Sequence, residues 1–197
     1  MFAGLDADPA VRLIVCAGDG DKAFISGADI SQFEKLRGTV DAQIVYNKAV
    51  ENAYFAPMSC SKPVVAPTPG PCIGGGVALA ASLDFRFCGT SAHFRIPEVA
   101  LGMNMSWGSL PRLLALMGPA RTKQAVILAA DRISSGNARD WGLVETVVAD
   151  GQALAEAMAF AERIAAMPPL PVSMVKTSVN RLSAALDDLA AHMDGDQ

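Results

Sequence analysis

The most constraining feature of the sequence is a stretch between Lys62 and Asp84 that contains no charged residue. Its length would suit a membrane span, but it contains four prolines and, in its second half, three consecutive glycines at residues 74–76. Because proline removes a backbone donor and glycine weakens a helix, no single helix can cross a bilayer here. We expect soluble core instead, with a buried strand at residues 64–66, a turn, and a buried helix at residues 77–83.

Composition is typical of a compact globular protein. With 197 residues, the chain is about 1.3 times the typical domain length, which favours one domain. Apolar residues make up 51% of it and charged residues 18%, so wholesale disorder is excluded. Sixteen Lys and Arg against 20 Asp and Glu give a formal net charge of −4, without a basic stripe. We therefore expect neither nucleic acid nor a membrane as a partner.

Cysteine and histidine usage argues against a disulfide scaffold and against a metal centre. Four cysteines lie in or beside apolar stretches without C-x-x-C spacing: Cys16, Cys60, Cys72 and Cys88. Buried thiols of this kind are typical of a reducing cytoplasm, and no signal peptide is visible. The two histidines, His93 and His192, are far apart in the chain, so no metal site is expected.

Hydrophobic periodicity indicates alternating strands and helices, followed by a helical end. Strands are predicted at residues 11–17, 64–66, 85–88 and 143–148. Helices are predicted at residues 41–55, 77–83, 120–130, 154–167 and 172–189, with a short one capped by Ser134 or Ser135. Because no repeat or linker interrupts the pattern, we expect one α/β domain over residues 1–197, helical from about residue 149.

A glycine turn after the first predicted strand formally matches the dinucleotide fingerprint G-x-G-x-x-G/A, through Gly18, Gly20 and Ala23. However, Asp19 and Asp21 would place carboxylates where the pyrophosphate lies, and no convincing helix begins after them. We interpret this segment as an ordinary acidic turn, with a nucleotide site as the alternative.

A serine near the middle of the chain has part of the pattern of a hydrolase nucleophile. Residues 104–108 lack only the first glycine of the elbow G-x-S-x-G, and acidic residues and His192 follow in hydrolase order. Because that glycine permits the strained turn that exposes the nucleophile, we interpret Ser106 as a cap or loop hydroxyl. A Ser-His-Asp site is the alternative.

Two glycine-bearing turns carry groups that could bind an anion. The three glycines at residues 74–76 lead into an uncharged helix, whose first N–H groups are unpaired donors in a favourable dipole. Such groups can form an oxyanion hole, although a tight turn against a crowded core is the alternative. Residues 26–30, Ser-Gly-Ala-Asp-Ile, form a second turn, in which Asp29 alone would indicate only a helix cap.

Glu98 is a carboxylate embedded in the apolar run Ile-Pro-Glu-Val-Ala-Leu of residues 96–101. Partial burial would raise its pKa and make it a better proton acceptor near neutral pH. The alternative places Pro97 and Glu98 in a first helical turn, where a negative side chain is simply stabilising.

Taken together, these segments resemble the crotonase (enoyl-CoA hydratase/isomerase) family. The resemblance is carried by KAFISGADI at residues 22–30, KPVV at 62–65, GPCIGGG at 70–76, Asp84, and FRIPEVALG at 94–102. Matches at residues 118–120, 131–134 and 138–144 extend it over nearly the whole chain. The family implies a spiral of ββα units over about residues 1–148, a helical region over about 149–197, and a homotrimer or dimer of trimers.

The resemblance also implies roles for individual residues. A bent acyl-CoA thioester would be bound with its oxygen held by the backbone N–H groups of Ala28 and Gly75, and Glu98 would transfer a proton. Substrate contacts are expected at six residues of the two turns: Ser26, Ala28, Asp29, Ile30, Gly74 and Gly75. No metal or redox cofactor is implied, since coenzyme A enters only as part of the substrate.

Two departures from the family pattern bear on the reaction. Family hydratases carry a second glutamate where this chain has Ala78. We therefore expect double-bond isomerisation rather than efficient hydration. Family hydrolases and dehalogenases carry an aspartate where this chain has Ser106. An acyl-CoA hydrolase and a catalytically silent acyl-CoA-binding or assembly subunit are the alternatives to a lyase or isomerase of fatty acid metabolism. Family members also extend further at both ends, which predicts a truncated chain.

Overall fold

The computed structural model describes residues 1–32, 38–105, 107–129 and 131–190. The strands in these ranges are β1 (Ile14–Val15), β2 (Val64–Thr68), β3 (Cys72–Ile73), β4 (Phe85–Gly89), β5 (His93–Arg95), β6 (Ile133–Ser134) and β7 (Thr146–Val148). The α-helices are α1 (Phe2–Ala7), α2 (Val40–Ser59), α3 (Gly75–Ser82), α4 (Ser109–Ile127), α5 (Ser135–Asp140), α6 (Ala153–Ala165) and α7 (Pro169–Ala190). Two 3-10 turns span Ile30–Gln32 and Val99–Leu101.

A parallel four-stranded sheet, in the order β1-β2-β4-β7, lies at the centre of the fold. Its two middle strands are almost wholly buried, as expected for a parallel sheet that is covered on both faces. A second sheet has the order β3-β5-β6, with β3 parallel to β5 and β6 antiparallel to β5. This second sheet positions the candidate site, because β3 leads directly into α3.

Pro67 lies inside the central strand β2, where a proline is normally excluded. It is accommodated because β1 pairs only with Val64 and Val65. The carbonyl of Val65 accepts a hydrogen bond from Cys16 on the β1 side, and Pro67, two residues later, faces the same side beyond the end of β1. The predicted strand at residues 11–17 is therefore too long, since only residues 14 and 15 pair.

Two predicted helices differ from the structure in their extent or burial. The helix predicted at residues 120–130 begins at Ser109 and continues through a break at Gly118, whose φ is 72°. The non-helical backbone at Gly118 divides α4 into two helical segments, and the predicted helix corresponds to the second segment. The helix predicted at residues 41–55 is longer, and Ile44 and Val45 on its expected apolar face are 60% and 70% exposed.

The C-terminal end of α3 is held by a buried arginine from β4. Arg86 is 1% exposed and donates to the carbonyls of Leu83 and Leu143, both at 2.7 Å, and of Ala80 at 3.1 Å. Its guanidinium also pairs with Glu145 at 2.6 Å. These bonds satisfy carbonyls that a helix end leaves unpaired, and they place a positive charge at the negative end of the helix dipole.

A buried lysine helps attach helix α7 to the core. Lys176 Nζ donates to the carbonyls of Pro57 and Lys62, both at 2.8 Å, and to Asp84 Oδ2 at 2.7 Å. The same Asp84 oxygen accepts from the backbone N–H of Val64 at 2.7 Å, so the pair also fixes the start of β2.

Within the described ranges, no helix combines the length and apolar character needed to cross a membrane.

Candidate active site

The glycine run forms the junction between β3 and α3. Gly74 has φ 56° and ψ −120°, a conformation that side chains disfavour, and its N–H donates to the carbonyl of Arg95 at 2.8 Å. Helix α3 begins at Gly75, two residues before its predicted start. The N–H groups of Gly75 and Gly76 have no hydrogen-bond partner among the described residues. They are therefore available to a ligand at the positive end of the helix dipole.

The turn at residues 26–29 lies beside this junction because its preceding segment runs parallel to β3. Ile25 pairs with Cys72, and the N–H of Ile73 donates to the carbonyl of Ile25 at 2.9 Å. A Cβ on Gly76 would lie 2.5 Å from that same carbonyl, so only glycine permits the approach. Because both segments turn at the same edge, the structure brings the two predicted glycine turns together.

Ala28, one of the residues predicted in that turn, has a free backbone donor. Its N–H makes no hydrogen bond within the described ranges, and the residue is exposed, as are Ser26 and Asp29. Asp29 accepts from the N–H and hydroxyl of Ser31 at 3.0 and 2.6 Å and from Gln32 at 3.2 Å. The Ser31 hydroxyl is the main cause that lowers the pKa of Asp29, so this side chain acts as the cap of the 3-10 turn at Ile30–Gln32.

Glu98 lies against the glycine junction. A Cβ on Gly74 would lie 3.0 Å from Glu98 Oε1. Glu98 Oε2 is buried and has no hydrogen-bond partner in the described part of the chain. Burial raises the pKa of Glu98, partly opposed by a hydrogen bond from its own backbone N–H, and the direction agrees with the sequence prediction. A buried carboxylate oxygen without a partner is suited to accept a proton from a ligand.

Tyr54 is a residue of this site that sequence reasoning missed. Its hydroxyl lies 2.5 Å from the position that a Cβ on Gly75 would take. Burial, followed by the charges of Tyr46 and Glu98, raises the pKa of Tyr54 to about 12. In the sequence, the only available signal was an aromatic residue on the core side of α2, which is more often a packing residue.

Ala78 lies one helical turn after Gly75 and is 1% exposed. The position at which the resemblance implies a second carboxylate in family hydratases thus carries a buried methyl group. Ser106 and His192, the serine and histidine of the alternative Ser-His-Asp site, lie outside the described residues.

No helix begins between Gly18 and Asp29, so the dinucleotide alternative lacks the helix N-terminus that it requires. No group of three or more metal-ligating side chains occurs among the described residues.

A cavity of about 700 Å³ lies away from this junction, between α7, α4 and the C-terminal end of α3. It is lined mainly by apolar side chains, and the Lys176–Asp84 pair lies on its wall. Neither the glycine turns nor Glu98 line it. The candidate site is therefore identified by its free N–H groups and its buried carboxylate, and not by the size of a cavity.

Comparison with known proteins agrees with this geometry. The family model for enoyl-CoA hydratase/isomerase matches residues 1–197. The chain belongs to the enoyl-CoA hydratase/isomerase family. Its glycine junction, parallel sheet and helical end are accordingly those of a crotonase fold.

Relatives within the enoyl-CoA hydratase/isomerase family include enzymes of more than one type. The chain is 34% identical over 189 residues to a crotonyl-CoA hydratase of Syntrophomonas wolfei, covering 96% of this chain and 72% of that protein. It is also 34% identical over 191 residues to a peroxisomal Delta(3,5)-Delta(2,4)-dienoyl-CoA isomerase of Arabidopsis thaliana, covering 91% of this chain and 68% of that one.

A solved structure of a family protein from Hyphomonas neptunium superimposes on the chain with a TM-score of 0.89 at 36% identity. The alignment covers 93% of this chain and 70% of that one. The fold expected from the sequence motifs is thereby confirmed. Because hydratases and an isomerase match similarly well, family membership does not decide the type of reaction. That question depends on the residues of the site.

Proposed function

We propose that this chain is an acyl-CoA enzyme that stabilises a thioester enolate and transfers one proton. The N–H groups of Ala28 and Gly75 bind the thioester oxygen, and Glu98 is the proton carrier. The observation that carries the proposal is the position of Glu98 Oε1 against Gly74, beside the unpaired N–H of Gly75. The proton acceptor thus lies against the residue that immediately precedes the oxyanion donor at the start of α3.

The proposed reaction on a 3-enoyl-CoA is movement of its double bond. The Glu98 carboxylate accepts the proton from the carbon next to the thioester, and the C–H electron pair forms a dienolate. The negative charge on the thioester oxygen is held by the two N–H groups, each worth about 3 kcal/mol to the transition state. Glu98 then returns the proton to the γ carbon, which gives the 2-enoyl-CoA without consuming water. No metal or redox cofactor takes part in this scheme.

Isomerisation is proposed ahead of hydration because of Ala78. Adding water to a double bond requires that the water be held and activated, which family hydratases do with two glutamates. A methyl group at position 78 can do neither. One carboxylate whose pKa is raised by burial is sufficient to move a proton between two carbons of one substrate.

Ala78 also supports a second candidate function, that of a catalytically silent acyl-CoA-binding or assembly subunit. An acyl-CoA hydrolase is a further alternative of the same fold, although Ser106 stands where family hydrolases carry an aspartate. A panel of 2-enoyl-, 3-enoyl- and saturated acyl-CoA esters distinguishes the three. Double-bond movement supports the isomerase, hydrolysis to free coenzyme A supports the hydrolase, and binding without turnover supports the silent subunit.

We propose a homotrimer or dimer of trimers as the working assembly. Helix α7 supports this because it exposes large apolar side chains, the mark of an interaction surface: Leu170, Met174, Val175, Val179 and Leu182. Sedimentation equilibrium tests the assembly, and a monomer at micromolar concentration would contradict it.

A reducing compartment such as the cytoplasm is supported by the four cysteines, which are free thiols.

A further inference from the structure

The Gly74–Gly75 peptide is flanked by two side-chain oxygens from different parts of the chain. Glu98 Oε1 lies 3.0 Å from the Cβ position of Gly74, and the Tyr54 hydroxyl lies 2.5 Å from that of Gly75. In an α-helix the Cα–Cβ bond tilts toward the N-terminus. The Tyr54 hydroxyl therefore lies beside the first residue of α3, from which the free N–H groups point outward.

The Tyr54 hydroxyl has no hydrogen-bond partner among the described residues. A half-buried phenol usually donates to a protein group, and here that donor remains available. Because its pKa is raised to about 12, the group stays protonated at any physiological pH. It can therefore donate a hydrogen bond but cannot serve as a base.

The ring of Tyr54 is held in place by a backbone-strained neighbour. Trp107 meets it edge to face, with ring centroids 5.7 Å apart and an interplanar angle of 65°. Trp107 has φ 60°, a left-handed conformation that is an outlier for a bulky side chain. Such outliers persist where the surrounding structure requires the side chain at one position, and they cluster at functional sites.

We propose that Tyr54 is a catalytic residue, whose hydroxyl donates a third hydrogen bond to the thioester oxygen as it becomes an enolate. This role rests on the proposed function. It assigns one of the two tyrosines of the chain to the reacting atoms. The hydroxyl would supply part of the stabilisation that the site needs while it has only one carboxylate.

A purely structural role makes a different prediction from the catalytic one. If Tyr54 only fills space between α2 and α3, its ring matters and its hydroxyl does not. Tyr54→Phe removes the oxygen alone and keeps the ring against Trp107. The matched control is Tyr46→Phe, which removes the other phenol oxygen of the same helix.

The experiment measures kcat and KM on a 3-enoyl-CoA, together with thermal unfolding, for wild type, Tyr54→Phe and Tyr46→Phe. We expect kcat of Tyr54→Phe to fall about 10- to 100-fold, while KM changes less than about threefold. Its unfolding temperature and the activity of Tyr46→Phe should remain those of wild type. Unchanged kcat in Tyr54→Phe, or a fall accompanied by equal loss of folded protein, overturns the role.

A second measurement separates this proposal from the proposed function. Butyryl-CoA has the thioester oxygen but no double bond to move, so calorimetry on it reports binding without turnover. If wild type binds butyryl-CoA but converts no enoyl-CoA, the proposed function fails. Tyr54 is then sustained as an oxygen-binding donor if Tyr54→Phe binds about fivefold more weakly, and is overturned by equal affinity. A wild type that neither turns over nor binds overturns both.

Discussion

Glu98 Oε1 lies 3.0 Å from the point where a side chain on Gly74 would begin. The close approach joins the proposed proton carrier to the start of the helix that carries the proposed oxyanion donor. It also explains why this position of the run is glycine, since both its φ of 56° and the tight space beside it disfavour a side chain. The site therefore depends on the absence of atoms at one residue as much as on the presence of a carboxylate at another.

Gly74→Ala should displace Glu98 and strain the backbone. We expect unfolding free energy to fall by about 2 kcal/mol, and kcat to fall about 10-fold or more because the carboxylate shifts. Chemical denaturation and steady-state kinetics measure the two effects. Gly136→Ala is the control, because a Cβ there meets nothing within 4 Å. Full activity in Gly74→Ala would show that the approach of Glu98 to Gly74 is not needed for turnover.

Glu98→Gln should abolish double-bond movement while leaving acyl-CoA binding nearly intact. The amide keeps the shape of the side chain but cannot accept the transferred proton, so kcat should fall at least about 1,000-fold. Kinetics on 2-enoyl- and 3-enoyl-CoA and calorimetry with butyryl-CoA measure this. Glu156→Gln on the exposed side of α6 is the control. Unchanged turnover would remove Glu98 from the mechanism.

The raised pKa of Glu98 predicts how the same substitution affects stability with pH. At pH values above 4.5, the ordinary pKa of a glutamate, folded Glu98 holds its proton more tightly than unfolded Glu98 does. The contribution of Glu98 to stability is therefore lost as the pH rises through the pKa of the folded state. Glu98→Gln does not titrate. Its unfolding temperature should therefore match wild type at pH 4 and exceed it increasingly toward neutral pH. A difference that is constant with pH would contradict the raised pKa.

Ala78→Glu should increase hydration relative to isomerisation. The new carboxylate would lie one turn along α3 from Gly75, at a buried position where its pKa would be raised. The ratio of 3-hydroxyacyl-CoA to isomerised product, separated by chromatography, is the measurement. Ala78→Gln is the matched variant, since it adds similar volume without a base. An equal ratio in all three proteins would count against our interpretation of position 78.

Lys176→Met should be strongly destabilising, because it leaves the carboxylate of Asp84 without its buried partner. Breaking such a pair costs about 3 to 5 kcal/mol. Arg139→Met breaks an exposed ion pair, with side chains 55% and 62% exposed, and should cost less than about 0.5 kcal/mol. Urea unfolding measures both. The double variant with Asp84→Asn should lose less than the sum of the single changes, and strict additivity would argue against coupling.

The sequence predicts the local features of the site better than its assembly. The glycine turns at Gly27 and Gly74 and the raised pKa of Glu98 follow from local residue types, and the family follows from their order. Tyr54 could not be assigned, because its role depends on α2 packing across α3, a contact that helical periodicity does not specify. Likewise, the local pattern does not predict the segment of α4 that precedes the kink at Gly118.

The carboxylate that completes the Arg86 cluster, Glu145, lies 59 residues later in the chain. Arg86 holds the far end of α3, whose first turn carries the site. During synthesis, residues 1 to 140 lack the two partners that Leu143 and Glu145 supply to this guanidinium. The far end of α3 can therefore gain its full set of hydrogen bonds only after residue 145 has left the ribosome.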